Sequence, residues 1–104
     1  MAKRIQAEGQ RFIQADNGLG WSRTRGASVL AVVRGKYVTE VFGLRYELQK
    51  FRDDNGHGWY LYSRPTPHFH AEYCAPTLLA AIDAASDMIL KADLRGEGYE
   101  KKGR

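Results

Sequence analysis

Histidine, glutamate and cysteine alternate in His68-Phe69-His70-Ala71-Glu72-Tyr73-Cys74. On a strand, a period of two places His68, His70, Glu72 and Cys74 on one side, and two imidazoles at i,i+2 can share a Zn²⁺ ion. Four alternate residues span too far along a strand to converge on one ion. A metal site would need His68 and His70 plus a ligand from another strand, and His57 falls in a loop. The expectation is that these histidines are exposed or hydrogen-bonded, with metal binding a third reading and no cofactor.

Cys74 beside Ala75-Pro76 would need a base and an oxyanion site to act as a nucleophile. His68 and His70 are the nearby bases, and nothing in the spacing fixes their geometry. Asp53-Asp54-Asn55 resembles the start of a calcium loop without its later glutamate, so a turn is expected. The chain has no phosphate-binding glycine loop, no Ser-His-Asp order and no recognisable carboxylate pair. These absences point away from an enzyme.

A second chemistry is carried by aromatics among cations. Tyr60, Tyr62 and Arg64 share a parity, and Arg45 belongs to the neighbouring segment. Aromatic rings stack on bases while guanidinium groups hold phosphates, so an open sheet face of this kind suits nucleic acid. The cations Arg34 and Lys36 flank Gly35, as in a β-ribbon whose tip enters a DNA groove. Charge is also uneven. Residues 1–52 hold ten Lys/Arg against four Asp/Glu, a net of +6; residues 53–104 hold six against eight, a net of −2. This asymmetry favours a nucleic acid or an acidic protein surface as partner.

The elements that must position these groups follow from periodicity. Leu44, Tyr46 and Leu48 alternate with Arg45, Glu47 and Gln49, predicting the strand Leu44–Phe51. A polar Asp53–Gly58 loop joins it to the strand Trp59–Ser63, and His68–Tyr73 reads as the last strand. Ser28–Val33 is apolar on both parities, as in a central strand. Gly35 then suits a type II′ hairpin turn into Tyr37–Phe42, with Arg34 and Lys36 at its tip. Gly43 is a bulge or a bend. Leu78, Ile82, Ala85 and Ile89 give the spacing of a helix over Thr77–Ala92, with Thr77 as N-cap. Arg11–Ala15 is a strand or a helical turn, and Gly20–Gly26 a basic loop or irregular edge strand. Residues 1–10 and 97–104 read as flexible tails of a single domain, 1–104.

The expected architecture is α+β, an antiparallel meander of four to five strands packed on one C-terminal helix. The helix should cover Leu44, Tyr46, Leu48, Trp59, Leu61, Phe69, Ala71 and Tyr73. Alternation then sends Arg45, Glu47, Gln49, Tyr60, Tyr62, Arg64, His68, His70 and Glu72 to the other face. The order of Arg34–Val41 followed by Ala80–Ala85 resembles the three-strand-plus-helix DNA-binding domains of phage-integrase arms, which implies a sheet that reads DNA. At 104 residues, 43% hydrophobic, 27% charged and with one cysteine, the chain suits a reducing cytoplasm. No apolar run approaches the ~20 residues of a membrane span. The functional expectation is a small non-enzymatic binding protein of bacterial or bacteriophage accessory type. Nucleic-acid contact would run through Arg34, Lys36, Arg45, Tyr60, Tyr62 and Arg64. The alternative is a protein–protein adaptor or inhibitor, or a homo-oligomer, using the same face.

Overall fold

A computed structural model describes residues 1–7, 9–26, 30–64 and 72–94. Seven antiparallel strands follow one another in sequence order: β1 (Lys3–Ala7), β2 (Gln10–Gln14), β3 (Gly20–Thr24), β4 (Lys36–Val41), β5 (Leu44–Asp53), β6 (Gly56–Arg64) and β7 (Glu72–Ala75). Among the described residues one helix, α1 (Leu78–Leu94), follows the strands. The class is the expected α+β, with seven strands where the sequence suggested four to five. The extra strands come from the first 24 residues. Segment 3–7, read as part of a tail, pairs with β2 from Lys3↔Gln14 to Ala7↔Gln10. The basic Gly20–Thr24 segment lies inside the sheet, between β2 and β4.

Alternation gives each strand a helix side and an outer side. Register aligns Ile13 with Trp21, Tyr37 with Leu48 and Leu48 with Leu61. These residues pack with Trp59, Ala75, Ala81, Ile82, Ala85 and Ile89 in one core. Small residues on the helix allow close approach: Ala81, Ala85 and Ser86 are fully buried. Ser86 Oγ accepts a hydrogen bond from the buried Trp21 indole at 2.8 Å. That bond satisfies two polar groups that burial would otherwise leave without water. Thr77 O accepts from Ala81 N at 2.9 Å, the first bond of the helix ladder, as an N-cap residue should. No helix among the described residues is long and apolar enough to cross a membrane.

Two local expectations are corrected. Gly35 is not the turn of a hairpin: its φ is not positive, and Lys36 opens β4 opposite Thr24 of β3. The tight turn is Phe42-Gly43 between Val41 and Leu44, where φ is 52° and 82°. Two successive positive values are those of a type I′ hairpin turn; Gly43 reaches its value freely, while Phe42 holds an uncommon conformation for a residue with a Cβ. Segment 30–33, the described part of the expected central strand, bridges Ala31 to Phe51, and Val32 N donates to Lys50 O at 2.8 Å; residues 28 and 29 lie outside the described residues. β4 takes the matching edge of β5 only as far as Leu48, so just a short stretch remains for this segment to pair with. Val32 and Val33 are partly exposed as a result.

Asp83 ties the start of the chain to the helix. Its two carboxylate oxygens accept from Ala2 N at 2.7 Å and Asp16 N at 2.8 Å. Asn17 reaches Asp87 one turn later, at 3.3 Å. Net worth for a hydrogen bond to a charged group is roughly 1.5–3 kcal/mol, and solvent lowers it here. Asp83→Ala is therefore expected to cost about 2 kcal/mol in urea unfolding, whereas Asp87→Ala, at the exposed and longer contact, costs under about 0.5 kcal/mol.

Candidate functional site

The outer side carries the expected tyrosine–cation face, but its middle is closed. Glu47 and Gln49 are each 1% exposed and Tyr62 is buried. Glu47 explains much of this. Its carboxylate meets Lys36 Nζ at 3.2 Å and Arg45 Nε at 3.1 Å. The Lys36 side chain is itself only 12% exposed. A buried carboxylate must be paired, and pairing consumes the two cations that the sequence offered to a polyanion. Tyr60 stays on the outer side, its hydroxyl donating to Asp53 Oδ2 at 2.7 Å. Its ring meets Phe51 and Tyr73 edge-on, with centroids 5.9 and 5.4 Å apart. Tyr73, expected under the helix, therefore belongs to the outer cluster. A register shift between Trp59 and Tyr60 accompanies its pairing with β6.

The other oxygen of Asp53 accepts from Asn55 N at 2.9 Å within the β5–β6 turn. The acidic run is thus used as turn chemistry. The hydrogen bond to Asp53, with burial and the nearby charge adding to it, pushes the Tyr60 phenol up to about 12. Burial pushes the Cys74 thiol up to about 11, which leaves almost no thiolate at neutral pH. Its Sγ lies 3.5 Å from Glu72 O.

Of the expected contact residues, Arg34 is exposed and has no carboxylate partner among the described residues. Lys36 and Arg45 are held by Glu47, and Tyr62 is buried. Arg64 ends β6 opposite Arg45, and its side chain lies outside the described part of the structure, as do His68 and His70. Among the described residues no group of three or more metal-ligating side chains gathers.

A different cationic cluster emerges on the helix side of β1–β4. Arg4 stands opposite Ile13, Ile13 opposite Trp21, and Arg23 opposite Tyr37, while Arg11 faces Gln6. Together these residues line a cleft of about 600 Å³, bordered also by Ile5 and Phe12. Arg4, Arg11 and Arg23 are exposed, and no carboxylate among the described residues pairs with any of them. Arg23 lies over Gly35: a Cβ there would sit 2.6 Å from its Nε. Gly35 is thus the bed for a cation. The alternation Arg4-x-Gln6, Arg11-x-Ile13 and Trp21-x-Arg23 carries this cluster in the sequence, and becomes legible once three short strands are recognised there.

No protein-family model, curated protein or solved structure matches the chain.

Two measurements check the outer face. Glu47→Gln leaves the Lys36 ammonium buried without its counter-charge and is expected to cost about 3 kcal/mol of unfolding free energy. Spectrophotometric titration should show one tyrosine ionising near 12, returning toward its ordinary value in Asp53→Asn. The raised value means that the fold favours neutral Tyr60. Its contribution to stability is complete below about pH 10, the unfolded value, and is lost as pH climbs toward the folded one.

Proposed function

We propose that this chain is a non-enzymatic binding protein whose partner is a polyanion, in its most specific form a nucleic acid. The observation that carries this reading is the set of exposed cations along β1–β4 and the connection before β4. Lys3, Arg4, Arg11, Arg23, Arg25 and Arg34 are all exposed, and none is held by a carboxylate among the described residues. Unpaired surface cations cost little to keep and release the counterions of a phosphate chain when it binds. Among the described residues, Glu40 lies on β4 and the other carboxylates lie elsewhere. Asp16, Asp83 and Asp87 lie where the β2–β3 turn meets the helix, and Asp53 and Asp54 at the β5–β6 turn. Alternation puts Lys3 and Glu40 on the outer side, which leaves Arg4, Arg11 and Arg23 together on the helix side of β1–β4 and supports a basic surface there.

From the contact set read in the sequence, Arg34 remains a member of this surface, while Lys36 and Arg45 serve the buried Glu47. A second reading, a protein-binding adaptor or self-associating chain, is favoured by the exposed apolar side chains Leu30, Phe42 and Leu44. Salt separates the two. Phosphate neutralisation through three or more contacts predicts single-strand affinity falling at least roughly tenfold between about 50 and 200 mM salt. The double variant Arg25→Ala/Arg34→Ala should weaken binding evenly across sequences and flatten the salt slope. Binding that ignores salt would favour the adaptor.

A further inference from the structure

We propose that the cleft between Arg4, Arg11 and Arg23 is a nucleotide subsite: it takes one unpaired nucleotide, its phosphate on the guanidinium rim and its base against the apolar floor. This rests on the polyanion reading above and gives it a specific seat. The volume, about 600 Å³, lies in the range of about 300–1,000 Å³ typical of small-ligand sites. Its lining divides as a nucleotide does. Three arginines supply planar forks that match phosphate oxygens. Half-buried Tyr37 supplies the accessible aromatic surface of the floor, backed by the buried Ile13 and Trp21, and Gln6 offers an amide to a base edge.

The floor is rigid. The Trp21 indole N–H is committed to Ser86, and the Tyr37 ring is held edge-on against Trp59 at 5.8 Å between centroids. An apolar floor without polar demands of its own suits the face of any base, so the site discriminates by strandedness more than by sequence. A paired base stays inside its stack and cannot reach such a floor, whereas an unpaired one is already splayed. Arg23 is positioned by what Gly35 lacks: any side chain there would push the guanidinium from its bed.

The shared chemistry, a base carrying phosphate, can come from a free nucleotide or from a single strand. Anisotropy titrations of the full chain with labelled oligothymidylate, its duplex, and thymidine monophosphate as competitor separate them. We expect single strand to bind at least about tenfold tighter than duplex. In Arg4→Ala/Arg11→Ala/Arg23→Ala that preference disappears and the salt slope flattens by about 0.7, the release expected for one phosphate contact on a single strand. Gly35→Ala keeps every charge and should still weaken single-strand binding; thermal melts of each variant confirm that the fold persists. Thymidine monophosphate that shifts the Trp21 indole resonance, and competes fully, assigns the site to free nucleotides; partial competition assigns it to a strand. Equal affinity for duplex and single strand overturns the subsite, as does a triple variant that binds like the parent. If that triple variant binds normally while Arg25→Ala/Arg34→Ala does not, the polyanion reading survives without the cleft. No binding of any nucleic acid at low salt overturns both.

Discussion

The position of the helix decides what every other surface can do. α1 has 17 residues, about 25 Å of helix, set against seven strands that span about 29 Å at their ordinary spacing. It packs on β7 and β6 and is pinned to the earlier strands at a few points: Trp21 to Ser86, and Asp83 to Ala2 and Asp16. Those pins hold the Lys3 end of β1 and the β2–β3 turn beneath the helix. The other end of the β1–β2 hairpin, with Gln6 and Arg11, borders a cleft that has no helix residue in its lining. An apolar floor and a cationic rim are left side by side.

On the outer side, electrostatics works against the same role. Glu47 is almost wholly buried at the middle of β5, and a buried carboxylate demands compensation. Lys36 and Arg45 provide it from the neighbouring strand and from two residues away. Two cations that look available in the sequence are internal counter-charges in the fold. Arg4, Arg11 and Arg23 have no carboxylate partner among the described residues. The contrast between Arg45 and Arg23 is set by what stands within reach, since both lie on strands in the same sheet.

Much of the second half was legible in the sequence because its strands are long and alternate cleanly. Leu44–Phe51 falls inside β5, Trp59–Ser63 inside β6, and the helix begins one residue after its expected cap. The first half was harder. β1, β2 and β3 have five residues each, too few for alternation to stand out against polar neighbours. Residues 30–33 show the opposite failure: their composition favours a strand, but β5 offers them only a short stretch of edge. Gly35 has the composition of a turn former, but its lack of a side chain makes room for Arg23. Parity correctly separated Tyr60 and Tyr62 from Trp59 and Leu61. It could not reveal that Tyr62 is buried on its own side, because burial depends on three-dimensional cover that alternation does not encode.

Helix placement and charge pairing set two sides apart: Arg4, Arg11 and Arg23 line the cleft on the helix side of β1–β4 without a carboxylate partner among the described residues, while Lys36 and Arg45 on the outer side are held by Glu47. Arginine side-chain NMR during titration with oligothymidylate addresses this directly. The account predicts that the Nε–H signals of Arg4, Arg11 and Arg23 and the Trp21 indole shift together, while Arg45 Nε–H, held by Glu47, stays in place. Saturable shifts at Arg45 with silence at the three cleft arginines would contradict it.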